Sequence, residues 1–264
     1  MNVLREMLSE DVDTVIAIIA SQSEEDAEEA EDGYREVGGI MDQYVMEHEG
    51  NVIGVTGFVS PPGCDQTYIL SWTYVHKNHA GKGHGRKMLT ELLSLVKEKG
   101  GRKIFVKVSD YVDGNDKEHG AIYAAALHLY QSLGFKKELT HKDYYTEGEA
   151  QMILGLRLKE ASSSGAIEQE NCPVQFNSIF EIDETDDAYS FGWHDEGANM
   201  FAQSDVEIGL DQVKKDDGRA VFLSFPSNFS GVSELLLASG FANSGVLDDY
   251  YEDGIHEQHF TYRF

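Results

Sequence analysis

The chain is poor in cysteine, proline and basic residues. Its 264 residues include two cysteines and four prolines, and 47 acidic residues outnumber 21 lysines and arginines, a formal net charge of −26. Two cysteines build no disulfide framework, and neither Cys64 nor Cys172 has the spacing of a metal-ligand motif. The negative charge argues against nucleic acid as a partner. These shortages favour a cytoplasmic protein that needs no metal.

Long apolar runs are also missing. The segment Met1–Glu6 lacks the apolar core of a signal peptide, and no run reaches the length that spans a membrane. We therefore expect neither secretion nor a membrane partner. With 41% apolar residues over 264 positions, the chain can build real hydrophobic cores and is long enough for two domains.

The most informative segment is a glycine-rich loop between an apolar β-rich run, Tyr68–Val75, and an amphipathic helix predicted over Gly83–Lys99. Gly81, Gly83 and Gly85 allow a tight turn in which backbone N–H groups converge, and the helix adds its own free N–H groups and dipole. This geometry suits a pyrophosphate. The pattern is neither a P-loop nor a complete dinucleotide-binding fingerprint. The alternative is a glycine turn that only connects strand to helix.

Charge favours the anion site. From Gln66 to Val108 there are nine basic residues against two acidic ones, in a chain that is otherwise strongly acidic. Lys97 and Lys99 fall in the last turn of the predicted helix, where cations are favourable without any ligand. Lys82, Arg86 and Lys87 fall at its start, where cations are unfavourable unless an anion compensates them, so these three indicate a bound anion.

Three motifs in order resemble the GCN5-related N-acetyltransferase (GNAT) family over about residues 1–159. They are the loop Ala80–Gly85, the helix end Leu129–Phe135 with its Tyr130 and Gly134-Phe135, and Asp143-Tyr144-Tyr145 before a strand at Gln151–Leu158. Ala80 departs from the family's Gln or Arg, whose side chain normally helps to hold phosphate. The resemblance implies an α/β (α+β) acyl-CoA N-acyltransferase fold, with a mixed, mostly antiparallel sheet flanked by helices. The order of predicted strands and helices independently favours a layered α/β fold.

The resemblance also implies the chemistry. Acetyl-CoA would be the co-substrate, no metal would take part, and the acceptor would be an amine of a small molecule or peptide. Pantetheine would lie between the runs Tyr68–Val75 and Lys103–Ser109, with a backbone N–H near Tyr74 or Val75 polarising the thioester. Tyr130 matches the family's usual general acid; its alternative role is packing on the apolar helix face. The loop residues implied to bind the diphosphate are Gly81, Lys82, Gly83, His84, Gly85, Arg86 and Lys87.

Several residues are candidates for the catalytic base and for the acceptor site. Asp110, just after the run Lys103–Ser109, is the best-placed acid, and Glu118 and His119 follow; each also reads as an ordinary turn or helix-start residue. Trp72, Tyr144 and Tyr145 are candidates to line the acceptor pocket, although aromatic residues on strands are as often core. The acidic stretch Ser23–Glu36 would attract a cationic amine, or is a solvated helix face or a lid.

The C-terminal part repeats the later motifs of the first part. Gly240-Phe241, Asp249-Tyr250-Tyr251 and Gly254 follow Gly134-Phe135, Asp143-Tyr144-Tyr145 and Gly148 at a constant spacing of 106 residues. We expect a GNAT domain at 1–159, a linker at 160–171, and a degenerate GNAT-like copy at 172–264 that lacks the glycine loop. The elements expected in this copy are a strand at Val174–Ile182, a helix near Val206–Lys215, a strand at Ala220–Phe225, a helix at Val232–Ser239 and a terminal strand pair.

Such a copy would make the chain an internal pseudo-dimer, whether monomer or homodimer. It would bind no coenzyme. Two other readings remain for the whole protein. It is a non-catalytic acyl-CoA-binding sensor or scaffold, or an enzyme that uses a longer acyl donor. The departures from the family at Ala80 and at Tyr123, where the family commonly has Asn, allow the first of these.

Overall fold

The structure is a computed structural model that describes residues 2–111, 117–161, 175–194, 202–229 and 231–264. The chain forms two compact units. Unit 1 comprises Met1–Lys136 and Gly155–Glu160, and unit 2 comprises Lys137–Leu154 and Ala161–Phe264. Most of the expected linker, Cys172, and the middle of the loop after Asp110 lie outside the described residues.

Unit 1 is a mixed sheet with helices. Its described elements, in chain order, are β1 (Asn2–Glu6), α1 (Val12–Ala20), α2 (Glu24–Arg35), β2 (Gln43–His48), β3 (Asn51–Val59), β4 (Thr67–Leu70), β5 (Tyr74–Val75), α3 (His84–Glu98), β6 (Lys103–Ser109) and α4 (Lys117–Ser132). The strands follow the order β1-β2-β3-β4-β6, and β5 pairs with β3. The pairs are antiparallel except for β4 with β6, which are parallel.

Two packed regions hold unit 1 together. Helices α1 and α2 bury Val15, Ile19, Ala30 and Tyr34 against Val45 and Val55 of the sheet. Helix α3 buries one face, whose members recur at the spacing of an amphipathic helix: Met88, Leu89, Leu92, Leu93 and Val96. The acidic stretch Ser23–Glu36 is therefore mostly a helix, α2. It packs a small apolar face against the sheet, and most of its acidic side chains are exposed.

Helix α4 ends as the sequence predicts. Gly134 adopts φ 98° just after the helix. The N–H of Phe135 donates to the carbonyl of Tyr130 at 3.2 Å, and the N–H of Gly134 donates to the carbonyl of Gln131 at 3.0 Å. This pair of bonds is the Schellman arrangement, which requires a left-handed residue and so favours glycine. It places Tyr130 in the last turn of α4.

Unit 2 contains a hairpin and a second sheet. Its described elements are β7 (Lys136–Thr146), β8 (Glu149–Arg157), β9 (Gln175–Glu181), β10 (Ala188–His194), α5 (Gln203–Lys215), β11 (Ala220–Pro226), α6 (Val232–Ala238), β12 (Ala242–Glu252) and β13 (Ile255–Arg263). The second sheet has the order β12-β13-β11-β10-β9. Strand β10, which the sequence analysis did not anticipate, is parallel to β11. The core packed on this second sheet is apolar and aromatic, and it includes Phe191, Phe225, Leu236 and Phe260.

No helix among the described residues is both long enough and apolar enough to cross a membrane.

Candidate active site

The predicted strand Tyr68–Val75 is interrupted, which corrects the sequence analysis. Strand β4 pairs with β3 up to Phe58↔Leu70, and pairing resumes at Val55↔Tyr74 in β5. Between these points two residues of β3 face three residues, Ser71, Trp72 and Thr73. The extra residue is a β-bulge, and bulges bend a strand and leave part of its ladder unpaired. The register of β4 with β6 ends at Ile69↔Phe105, so the sheet opens where β4 gives way to β5.

The glycine loop joins β5 to α3. Gly81 and Gly83 have φ values of 71° and 82°, in the left-handed region that side chains rarely adopt. A Cβ built on either would meet no atom within 4 Å, so the space above both is open. The N–H of Lys87 is the first of the helix to donate back, to the Gly83 carbonyl at 3.1 Å. The earlier N–H groups of α3 have no acceptor within the helix, which is the arrangement that binds phosphate groups.

Basic side chains surround this loop. Lys82 Nζ donates to the carbonyl of Asn78 at 2.8 Å, and the guanidinium of Arg86 donates to Ser132 Oγ at 2.7 Å, where α4 ends. Lys87 Nζ lies 3.6 Å from Glu91 Oε1, one turn further along α3. Lys82 and Arg86 are thus held by neutral oxygen atoms, whereas the amine of Lys87 lies toward the carboxylate of Glu91. An exposed cation held by a neutral carbonyl or hydroxyl keeps its full charge for an anion.

Histidine rings cluster beside the same loop. The rings of His48 and His84 are 4.9 Å apart, and His79 lies 6.0 Å from His84 and 6.2 Å from both His48 and His76. Desolvation, then His48, His79 and the nearby lysines, lowers the pKa of His84 below its ordinary value. Within the described part of the chain, no group of three or more His, Cys, Asp or Glu side chains is arranged to hold a metal ion.

Tyr130 lies buried behind the bulge. Its side chain is 6% exposed and its ring packs edge-on against Phe135. Thr73 acts on its hydroxyl, and Thr73 Oγ1 lies 3.0 Å from Thr56 Oγ1. Burial raises the pKa of Tyr130 to about 12, and Thr73 partly offsets the rise. Tyr130 therefore keeps its proton at any ordinary pH.

A second tyrosine, Tyr74, makes a contact that no pattern in the sequence indicates. The Tyr74 hydroxyl donates to the carboxylate of Asp26, near the start of α2. Burial, followed by the charge of Asp26, raises the pKa of Tyr74 above its ordinary value, and Tyr123 and Tyr130 also act on it. A capping pattern, Ser23-x-x-Asp26, was visible in the sequence, but it signals only a helix start and gives no hint of a partner 48 residues away.

The other predicted site residues fall in different places. Asp110 is exposed just after β6, and Trp72 is half-buried against the core of α1 and α2. Tyr144 and Tyr145 belong to unit 2, where Tyr144 is buried with Ala188, Ala220 and Phe222. The Tyr144 hydroxyl donates to Glu184 at 3.1 Å. The side chains of Glu118 and His119 lie outside the described residues, and the roles expected for these six residues stay predictions.

Comparisons with known proteins give one family match and several similar solved structures. Residues 41–137 match the family model of the acetyltransferase (GNAT) domain, so the chain carries such a domain over this range. A solved structure from Desulfovibrio desulfuricans, assigned to the GNAT family of acetyltransferases, is 23% identical and covers 60% of this chain and 100% of its own, with a TM-score of 0.51. That likeness shows the fold. No curated protein sequence matches.

Two further solved structures are similar over a comparable range. The protein yncA of Salmonella typhimurium, solved with its cofactor acetyl-CoA, is 22% identical, covers 63% of this chain and 99% of its own, and has a TM-score of 0.48. The ribosomal-protein-S18-alanine N-acetyltransferase of Escherichia coli is 19% identical, covers 63% of this chain and 100% of its own, and has a TM-score of 0.45.

Proposed function

We propose that this chain, whose residues 41–137 form a GNAT acetyltransferase domain, transfers an acetyl group from acetyl-CoA to a primary amine of a small molecule or peptide. The amine would attack the thioester directly, with Tyr130 as the general acid. The observation that carries the proposal is the buried Tyr130, on which Thr73 acts at the bulge where the sheet opens.

The residues present fit the donor. The open space above Gly81 and Gly83 lets a diphosphate approach the backbone, and the first N–H groups of α3, which have no acceptor within the helix, lie at the same end. Lys82, Arg86 and Lys87 supply positive charge at the same end of the helix, and His84 adds a titratable group. A backbone N–H near Tyr74 or Val75 is proposed to polarise the thioester carbonyl, since these residues follow the bulge that frees part of the ladder.

Two proton transfers complete the reaction. The acceptor must lose the proton of its ammonium form before it attacks, and the thiolate of coenzyme A must gain one as it leaves. A tyrosine with a raised pKa stays protonated until the thiolate develops, so Tyr130 fits the second role. Asp110, at the carboxyl end of β6, is the carboxylate that the sequence predicts for the first role.

Release of free thiol from acetyl-CoA with a panel of amines tests the proposal. The wild type is expected to turn over at least one amine, and Tyr130→Phe is expected to lose kcat 10²-fold or more, the range usual for a lost general acid. Calorimetry should show an unchanged Kd for acetyl-CoA in this variant. Unchanged turnover by Tyr130→Phe would remove the tyrosine from the mechanism.

A non-catalytic acyl-CoA sensor is the second candidate. It is supported by the exposed, apolar Ala80, where the resemblance leads us to expect a polar side chain, and by Tyr123, where it leads us to expect Asn. The Tyr123 ring instead lies 6.2 Å from that of Tyr111. Thermal stabilisation by acetyl-CoA without turnover of any amine would favour this reading.

We further propose that residues 172–264 are a degenerate second copy. The hairpin bounds support it: Lys136–Thr146 and Glu149–Arg157 recur 106 residues later as Ala242–Glu252 and Ile255–Arg263. Both turns bond alike. Gly148 N–H donates to Asp143 Oδ1 at 3.0 Å, and Gly254 N–H donates to Asp249 Oδ1 at 2.8 Å.

The helix end before each hairpin also recurs. Phe241 N–H donates to the Leu236 carbonyl at 3.0 Å, as Phe135 does to Tyr130, and Gly240 has φ 92°. The parallel pair β10–β11, linked through α5, repeats the parallel pair β4–β6, linked through α3. Helix α5 follows Ala202 without a glycine loop, and Leu236 stands where the first copy has Tyr130.

The second copy therefore lacks both the diphosphate loop and the acid. Calorimetric titration should find one acetyl-CoA per chain, whereas two equal sites would contradict the assignment.

A further inference from the structure

The start of α2 is tied to the end of β5 by three hydrogen bonds. Gln22 Nε2 donates to the Val75 carbonyl at 2.9 Å, and the Lys77 N–H donates to Ser21 Oγ at 3.1 Å. The third bond joins the Tyr74 hydroxyl to Asp26. Two of these bonds are made by Ser21 and Gln22, in the turn just before α2, and the third is made by Asp26 itself. Together they fix the start of α2, and with it Asp26, against the end of β5.

The carboxylate of Asp26 has a different partner from the one that is usual at its position in a helix. It is the third residue after the N-cap Ser23, whose Oγ accepts from the Asp26 N–H at 3.1 Å. An acidic residue there commonly folds back onto the N–H of the capping residue. Here the Ser23 N–H donates to the Ile19 carbonyl at 2.9 Å instead. The Asp26 carboxylate turns to Tyr74, inside the candidate site.

The Asp26–Tyr74 pair lies within electrostatic reach of the proposed acid. The Tyr74 hydroxyl is influenced by Asp26, Tyr123 and Tyr130, which places a carboxylate and a protonated phenol around one region. Trp72 and Tyr74 pack on the cluster to which α2 contributes Ala27, Ala30 and Tyr34. Direct N-acylation needs one group that accepts a proton and one that donates it. A carboxylate on α2, Asp26, and a protonated phenol on α4, Tyr130, have these two chemical properties.

The charged residues of α2 are almost all negative. Seven of its twelve residues are acidic, and its one basic residue, Arg35, donates to Glu31 at 2.7 Å and to Asp13 at 3.0 Å. Acids in the first turn suit the helix dipole, which explains Glu24 and Glu25 but not the bond between Asp26 and Tyr74. The excess of carboxylates on α2 favours a cationic molecule near this helix.

We propose that Asp26 binds the ammonium group of the acceptor and takes its proton, with Tyr74 as the residue that positions the carboxylate. The inference rests on the proposed acetyl transfer and assigns its acceptor class: amines that are cationic in solution. It also moves the base from Asp110 to Asp26.

The proton balance closes with Asp26 and Tyr130. The ammonium nitrogen gives one proton to Asp26, and its lone pair forms the C–N bond to the acyl carbon. As the C–S bond breaks with its electron pair on sulfur, Tyr130 protonates the sulfur. The nitrogen, positively charged after attack, returns a proton to Tyr130 and becomes the neutral amide. Asp26 then releases its proton to water, so one proton leaves per turnover.

A binding experiment tests the ammonium site without turnover. The wild type, Asp26→Asn and Glu28→Gln are titrated calorimetrically with spermidine at 0.15 M salt, where bulk charge effects are largely screened. Glu28 is exposed on the same helix, so its variant carries the same charge change outside the site. We expect Asp26→Asn to lose tenfold or more in affinity and Glu28→Gln to stay within twofold. Equal affinities in the two variants, or no binding by the wild type, would overturn the inference.

A turnover experiment tests the proton transfer. Benzylamine is cationic near pH 7.5 and aniline is neutral, and both carry one ring. Asp26→Asn is expected to lower kcat/KM by about 100-fold for benzylamine and less than threefold for aniline, and Tyr74→Phe to show the same preference more weakly. Glu28→Gln, the exposed control on the same helix, should spare both. Equal losses for both amines in Asp26→Asn would overturn the assignment. Spermidine binding without turnover of any amine would defeat the acetyl transfer while leaving the ammonium site.

Discussion

Replacing Gly83 by alanine separates backbone strain from donor binding. Gly83 is the N-cap of α3 with φ 82°, and its Cβ would meet no atom within 4 Å. Alanine in the left-handed region costs about 1 kcal/mol. Because no clash is added, this conformational cost is the whole expected loss of stability. For a unit of this size it lowers Tm by about 2–4 °C.

A matched control exists in the same unit. Gly38 has φ 85°, also has no atom within 4 Å of its built Cβ, and lies after α2 rather than at the loop. Gly38→Ala should therefore cost the same stability as Gly83→Ala. Only the Gly83 variant places a methyl group where the diphosphate is proposed to meet the backbone.

The donor affinity should separate the two variants. A hydrogen bond to a charged group contributes about 1.5–3 kcal/mol, so the loss of one amide contact weakens acetyl-CoA binding by about ten- to a hundredfold. Calorimetry at fixed salt gives the Kd, and differential scanning gives the Tm. If both variants bound acetyl-CoA as tightly as the wild type, the diphosphate could not lie on these amides.

Two further predictions concern titrating groups. Asp11 is buried and bonds Arg5 at 2.7 and 2.9 Å, and Arg5 lowers the pKa of Asp11. This stabilisation is complete above the unfolded pKa of about 3.9 and is lost as pH falls below it. Asp11→Asn should cost about 2 kcal/mol in urea denaturation at pH 7, and a gap that did not begin to shrink as the pH falls below about 3.9 would contradict the pairing. His84 has a pKa held low by burial and neighbouring cations; a bound diphosphate favours its charged form, so binding should take up a proton and tighten from pH 7.5 to 6. Calorimetry in buffers of different ionisation enthalpy measures that uptake, which His84→Gln should reduce, and an uptake of zero in the wild type would refute it.

Local patterns in the sequence were sufficient for the loop, α3 and the end of α4. Alternate glycines, a 3.6-residue apolar period and a Gly-Phe pair after a helix each signal structure within a few residues. That is why Gly83 at the N-cap, the buried face of α3 and Gly134 at φ 98° agree with the sequence-based expectations.

Contacts between distant segments carry no such signal. The interruption between Leu70 and Tyr74 depends on pairing with β3, and a run of β-formers gives no sign of one extra residue. The ring of His48 reaches that of His84 only because β2 ends beside the start of α3. The acidic stretch was expected to be a rim or a solvated face. The contact that distinguishes Asp26 from its acidic neighbours is made by a tyrosine 48 residues away.

The two charge patterns act together on two substrates of opposite sign. Basic residues at the loop favour a polyanionic donor, and the acids of α2 favour a cationic acceptor, in a chain of formal net charge −26. At 0.15 M salt the screening length is about 8 Å, so each substrate responds to the charges beside it rather than to the whole chain. At low salt the net charge reaches further and opposes the donor while it attracts the acceptor. Raising the salt should therefore weaken acceptor binding more steeply than donor binding, because screening also removes the long-range repulsion of the donor.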